Sequence, residues 1–266
     1  MTETVDIANS ALIKLGNRTI SSLSDSVKAA EILNAQFETV RDRVFRGHPW
    51  NCLLRRVKLR MDIVDLAGAQ ATDPVAISAP GHTFSSGWHI RIDDVGGMTE
   101  LNGNTYMVYG PEEGAFWLHD EDGNDIDGSA FGAYTSGGTA TRVPIFGYDC
   151  LYETPSDFLR ALWVTNRLGT ENYHARVERN VILTDAPECW LLYIRTLEDP
   201  DDWDPLLREV LAVELGIDVS YNLTGSKTLA AYLRKTFADT LSEARSVDSQ
   251  EGRQTATNDD EWINVR

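Results

Sequence analysis

The first residues that could do chemistry are Leu223-Thr-Gly-Ser-Lys-Thr228, a run shaped like the end of a phosphate-binding loop. Such a loop needs glycine directly before its lysine and a second glycine five residues earlier, so that backbone amides can cradle phosphate oxygens. Ser226 and Tyr221 occupy those positions. Gly225 instead reads as the stop of one helix and Ser226 as the cap of the next, an αα-hairpin turn that implies no nucleotide site. The run Asp120-Glu-Asp-Gly-Asn-Asp-Ile-Asp127 has the carboxylates of a calcium loop. Its glycine is misplaced and no bidentate glutamate stands at the twelfth position, so it reads as a hydrated hairpin loop. His82, His89 and His119 show no zinc-ligand spacing. No Gly-x-Ser-x-Gly elbow is present, no cysteine has a recognisable histidine partner, and no pair among the many carboxylates stands out. The expectation is a protein with no catalytic residues, no metal and no cofactor.

Composition bounds what such a chain can be. Its 266 residues are enough to bury a substantial core, and 42% hydrophobic content suits an ordinary globular protein. No apolar run is long enough to span a membrane, and the N-terminal residues show neither the basic nor the apolar region of a signal peptide. Cys52, Cys150 and Cys189 are odd in number and far apart, which suits buried thiols in a reducing cytoplasm. The net charge of −17 argues against a surface that grips nucleic acid throughout. Charge is also segregated. Arg41, Arg43, Arg46, Arg55, Arg56, Lys58 and Arg60 face a single Asp42 in their segment, whereas every charge from Glu112 to Asp127 is negative, and Asp199 to Asp204 is acidic again. Such segments could join copies head to tail.

Residues 4–15 read as a helix stopped by Gly16, and Ser24 as the N-cap of a longer helix whose stripe is Val27, Ala30, Leu33, Phe37, Val40 and Val44. Val57, Leu59 and Met61 alternate as a strand. From about Asp73 to Thr141 glycine becomes dense and helical periodicity vanishes, while Asn102-Gly103 and Asp122-Gly123-Asn124 mark hairpins. Ala175 to Leu183 and Glu188 to Leu197 read as strands. Asp204-Pro205 starts a helix with Leu206, Val210, Val213 and Ile217 on its stripe, and Leu229, Leu233, Phe237 and Leu241 line a last one. The expected fold class is α+β: a helical bundle with a few framework strands, plus an inserted small all-β barrel or sandwich. The expected domains are a discontinuous framework at 1–72 and 141–250, the insert at 73–140, and a flexible tail at 251–266.

Two stretches carry a resemblance. "VDIANSALIKLGNRTISSL", then "RGHPWNCLLRR", "YETPSDFLRALWV" and the long run from "RNVILTDAPECW" to "DTLSEAR" resemble, in that order, head-to-tail adaptors of the tail tubular protein A class of short-tailed phages. "GHTFSSGWHIRIDDVGGMTELNGNTYMVYG" with "FGAYTSGGTA" resembles a small β module of phage virion proteins, often likened to the first catalytic-cysteine half-domain of ubiquitin-activating enzymes. The insert has no cysteine, so no thioester chemistry carries over. The resemblance implies a structural virion protein at the head–tail junction, made in the bacterial cytoplasm. Its copies form a ring, usually of twelve, between the portal and the tail nozzle or other tail proteins. Genomic DNA passes through the lumen without sequence-specific binding. In that setting Arg41, Arg43, Arg46, Arg55 and Arg56 are candidates for the ring interface, and Trp262 and Ile263 for a C-terminal anchor to a neighbouring ring. The alternative is a virion binding module whose insert recognises a glycan or a partner protein through aromatics such as Trp88, Tyr106 and Trp117.

Overall fold

A computed structural model describes residues 4–251 and divides the chain into two compact units. The helical unit comprises residues up to Arg55, Asp157–Arg160 and the chain from Tyr193 onward; the β unit comprises Arg56–Ser156 and Ala161–Leu192.

The helical unit holds α1 (Thr4–Lys14), α2 (Lys28–Gly47), α3 (Pro205–Thr224) and α4 (Lys227–Glu251). Its centre is α3, against which the other three pack. The sequence stripe captured only part of that burial. Leu207, Leu211, Ala212, Leu215 and Val219 are buried as well as Val210, Val213 and Ile217, so α3 is apolar nearly all round, as a central helix must be. Its start follows from the sequence: Asp204 accepts hydrogen bonds from the amides of Leu206 and Leu207, with Pro205 at the first helical position. Its end does too. Gly225 takes a left-handed φ of 68°, and Ser226 Oγ accepts from Leu229 N to open α4. The loop-like Leu223–Thr228 run is thus an αα-hairpin.

Ser24 does not cap α2, which begins at Lys28 after an extended Val27 with no side-chain cap. The residues between are held in a turn of their own, where Asp25 Oδ2 accepts from the amides of Ser21 and Ser22. That local bonding competes with helix and delays its start.

The expected helical bundle with a few framework strands is overturned. The described chain has fourteen strands in three antiparallel sheets and four α-helices. One sheet runs β2-β8-β5-β6-β7-β4-β3, built from β2 (Ile63–Asp65), β3 (Gly68–Gln70), β4 (Ala76–Ser78), β5 (His89–Gly96), β6 (Asn104–Glu112), β7 (Ala115–His119) and β8 (Ser136–Val143). Its edge strands β2 and β3 are joined by Leu66 and Ala67 alone, so the sheet has to curl back on itself. It encloses one core that includes Ile77, Ile90, Ile92, Met98, Val108, Phe116 and Leu118. Gly97 lets the segment before β8 pack against the end of β5: at φ 83° its Cβ would lie 2.1 Å from the Ala133 carbonyl oxygen.

A second sheet runs β12-β13-β9, from β9 (Cys150–Glu153), β12 (Ala175–Glu178) and β13 (Val181–Thr184). The third runs β1-β14-β10-β11, from β1 (Leu54–Lys58), β10 (Phe158–Thr165), β11 (Asn172–Tyr173) and β14 (Trp190–Arg195); the divisions between units fall within its three longer strands. The miscount has a local cause. Ala175 to Leu183, read as one strand, folds into the hairpin β12–β13 with Glu178 opposite Val181 and Arg179 at φ 54°. Arg179-Asn180 is a two-residue turn without glycine, a weak signal beside Asn-Gly.

Asp204→Ala is expected to lower the stability of the helical unit by about 1 kcal/mol through loss of the α3 cap. A shift in urea midpoint with an unchanged slope would register this, and an unmoved midpoint would remove the cap from the account.

Candidate interaction surfaces

The five arginines of the expected ring interface are mostly engaged within the chain. Arg41 Nε pairs with Asp42 Oδ1 at 2.8 Å. Arg43 Nη2 reaches both Glu214 Oε1 and Asp218 Oδ2 at 2.9 Å, two carboxylates one turn apart on α3. Arg46 Nη1 donates to the Leu159 carbonyl at 2.6 Å, and Arg160 Nη1 returns a bond to the Arg46 carbonyl at 3.0 Å. Arg55 Nη1 binds Asp157 Oδ2 at 2.8 Å. Arg56 alone of the five lies in the β unit, where it lines a cleft. Sequence reading had no means of finding these partners, since Arg43 and Asp218 are 175 positions apart. Trp262 and Ile263 lie outside the described residues.

Asp157 is the hub of the helical unit. Besides Arg55, its carboxylate accepts the Tyr193 hydroxyl at 2.7 Å, and its carbonyl accepts Thr196 N at 2.7 Å. Partial burial alone would raise the Asp157 carboxyl, but the bonds from Tyr193 and Arg55 hold it below its ordinary value. Burial and the same bond to Asp157 push the Tyr193 hydroxyl up to about 12.

A second buried carboxylate fixes the far end of α4. Asp248, only 8% exposed, accepts from Asn51 N at 2.9 Å and from His48 Nε2 at 3.1 Å, while its carbonyl accepts Asn51 Nδ2. Burial lowers the His48 ring from its ordinary 6.5, with Asp248 opposing the shift and Arg245 adding to it.

Two clefts of the β unit stand out. The larger, about 510 Å³, is lined by Trp88, Arg142, Tyr148, Leu151 and the loop from Pro144 to Gly147. The Arg142 guanidinium lies 3.3 Å from the Trp88 ring centroid and 3.1 Å from Glu153 Oε1. That stacking covers one Trp88 face, where a sugar would otherwise stack. Of the other aromatics considered, Tyr106 is buried in the core and Trp117 half-buried. Ile145 and Phe146 at the mouth are 67% and 84% exposed. The smaller cleft, about 360 Å³, is lined by Arg56, Arg167, Trp163, Leu168, Trp190 and Leu192. Trp163 is 59% and Leu168 81% exposed.

The remaining chemistry-bearing residues have separate, local partners. Asp120 accepts from the amides of Asp122 and Asn124 and from the Asn124 side chain, which holds its carboxyl below the ordinary value. His82 contacts the carbonyls of Glu112 and Ala115, whereas His119 stacks on Tyr109 with centroids 4.1 Å apart. Among the described residues no group of three or more His, Cys, Asp or Glu side chains is placed to hold a metal, and no helix is long and apolar enough to cross a membrane. Burial raises all three thiols, Cys189 to about 12, so none is poised as a thiolate.

No protein-family model matches the chain, and no curated protein matches it significantly.

Asp157→Ala should cost about 2 kcal/mol, since it strips a charged partner from Arg55 and leaves the Tyr193 hydroxyl unmatched. Asp157→Asn should cost about half of that, because an amide oxygen still accepts from Tyr193; equal losses in urea melts would contradict this account. For His48 the lowered folded pKa means that stability is complete above pH 6.5 and falls as pH drops below it, when the unfolded ring gains a proton that the folded ring resists. Subtracting the stability–pH profile of His48→Gln from that of the wild type should isolate this loss. A flat difference between pH 7 and 5 would contradict it.

Proposed function

We propose that the chain is a structural virion protein, a head-to-tail adaptor whose copies form a ring between portal and tail and line the channel through which DNA leaves. The ordered resemblance of the flanking segments to that adaptor class supports this reading. The structural observation that carries it is the pair of exposed apolar patches on the β unit, Ile145 with Phe146 and Trp163 with Leu168. Exposed apolar side chains clustered at clefts mark association surfaces. Two different patches suit a ring, where one surface of each copy meets a different surface of its neighbour. A net charge of −17 supports passage of DNA without retention, because like charges weaken phosphate contacts. No role in catalysis is assigned.

The arginine pairing moves the centre of the proposed ring contact. Arg41, Arg43 and Arg55 pair with carboxylates inside the helical unit and Arg46 with a carbonyl there, so the apolar patches supply association and Arg56 adds charge at one of them. The partners are further copies of the chain, the portal, and a tail nozzle or other tail proteins, with the complex located at the head–tail junction of the virion.

Negative-stain electron microscopy of the purified protein, alone and mixed with the portal of its phage, tests the reading. Rings of the protein, or a collar added to the portal, are expected. A protein that stays monomeric and ignores the portal would overturn the adaptor assignment. Phe146→Asp and Trp163→Asp should each reduce ring or collar formation at least tenfold while leaving the melting temperature of the monomer within a few degrees.

A further inference from the structure

The smaller cleft of the β unit has a specific chemistry. Trp163 and Thr165 of β10 and Trp190 and Leu192 of β14 alternate along their strands, and each pair therefore faces one side of its strand. Leu168 rises beside them on the loop after β10. Lys58 Nζ sits 5.4 Å from the Trp190 ring centroid and is bonded to Glu188. Arg56 and Arg167 also line the cleft, and neither has a carboxylate at ion-pair distance among the described residues. Glu188 feels the charge of Arg167 without bonding it, so in a chain carrying −17 this is a local concentration of positive charge only partly offset, next to exposed apolar surface. Its complement is a segment with carboxylates beside a bulky apolar side chain, the pairing found at interface hot spots.

Asp201-Asp202-Trp203 has this pattern, but its tryptophan is only 2% exposed, which leaves a second segment. Asp259-Asp260-Glu261-Trp262-Ile263 places three consecutive carboxylates directly before a tryptophan and an isoleucine. Seven residues, Gly252 to Asn258, separate it from Glu251 at the end of α4, a reach of at most about 24 Å when extended. We propose that this acidic–aromatic segment of one copy docks in the Arg56–Arg167 cleft of a second copy, with Trp262 against Trp163 and Leu168 and the carboxylates on the two arginines. Every copy then offers one segment and one cleft, a heterologous contact that can repeat from copy to copy. The proposal goes beyond the adaptor reading, which puts the Trp163–Leu168 patch at a contact between copies without saying what occupies it.

The test uses the full chain carrying Trp262→Ala and Ile263→Ala, titrated with a fluorescent peptide of residues 252–266. Saturable binding is expected, weakened at least tenfold by Arg56→Glu with Arg167→Glu, by Trp262→Ala in the peptide, and by raising salt from about 0.05 to 0.5 M. A peptide with lysine at positions 259–261 should recover binding to the charge-reversed chain, which shows that this chain remains folded. Sedimentation velocity of the wild type, above the peptide's Kd, should show mass rising with concentration, and the tail variant should lose that rise. No saturable binding, or binding indifferent to the two arginines, overturns the cleft. Peptide binding by a wild-type chain that stays monomeric assigns the segment to its own copy and overturns the second-copy contact. Collars on the portal without peptide binding would remove this proposal and leave the adaptor reading standing; peptide binding by a chain that ignores the portal would do the reverse.

Discussion

One carboxylate gathers the three separate stretches of chain that make up the helical unit. The chain leaves that unit after Arg55, returns at Asp157, leaves again after Arg160 and returns at Tyr193. Arg55, Asp157 and Tyr193 are thus the residues at which it departs or re-enters, and all three meet at the Asp157 side chain within 2.7 and 2.8 Å. The two excursions span Arg56–Ser156 and Ala161–Leu192. Closing a loop costs entropy that grows only slowly with its length, so a long excursion is tolerable once its ends are tied. Hydrogen bonds to the half-buried Asp157 carboxylate are suited to tying them, the Tyr193 bond more than the pair with the half-exposed Arg55. The reciprocal bonds between Arg46 and residues 159–160 add a second tie on the same short segment. A four-residue stretch with no core of its own is held in place by polar contacts.

What was legible in the sequence is what local chemistry decides. Asp204-Pro205 and Gly225-Ser226 set their helix ends through atoms within three or four residues, and the structure places both as the residue types require. Gly16 likewise ends α1 in a left-handed conformation. Illegible were the features decided at a distance or by competing local bonds. Ser24 had the right residue type for a cap, but Asp25 took the nearby amides and the helix began later. Arg179-Asn180 turned a run that alternation alone would have continued, and β9 fell in a stretch with no pattern strong enough to claim it. β14, by contrast, lies within Glu188 to Leu197 and was legible as a strand although Leu191 to Ile194 are all buried. Each lost strand biased the reading toward helix, and together they reversed the fold class.

Most arginines of the candidate surface already have partners within the chain. A run of arginines in sequence says nothing about whether each is already spent, and here the carboxylates that spend them come from α3 and from residue 157. The useful quantity is the charge left after internal pairing. By that measure the basic segment contracts from five arginines to Arg46, which bonds only a backbone carbonyl, and Arg56; Arg167, which no sequence pattern singled out, joins Arg56 at its cleft.

This contraction changes what can hold copies together. Exposed ion pairs contribute little, typically under about 1 kcal/mol each, and they weaken with salt. A contact built only on a basic segment meeting an acidic one would therefore be soft in a chain whose like charges repel at −17. Apolar side chains left more than half exposed supply the missing drive, because each removes surface from water on docking regardless of net charge. In the proposed ring charge then decides orientation rather than strength, with Arg56 and Arg167 selecting which surface of a neighbour approaches. For the proposed ring, strong overall repulsion discourages random clustering, while a local cluster of guanidiniums beside apolar surface favours a directed contact.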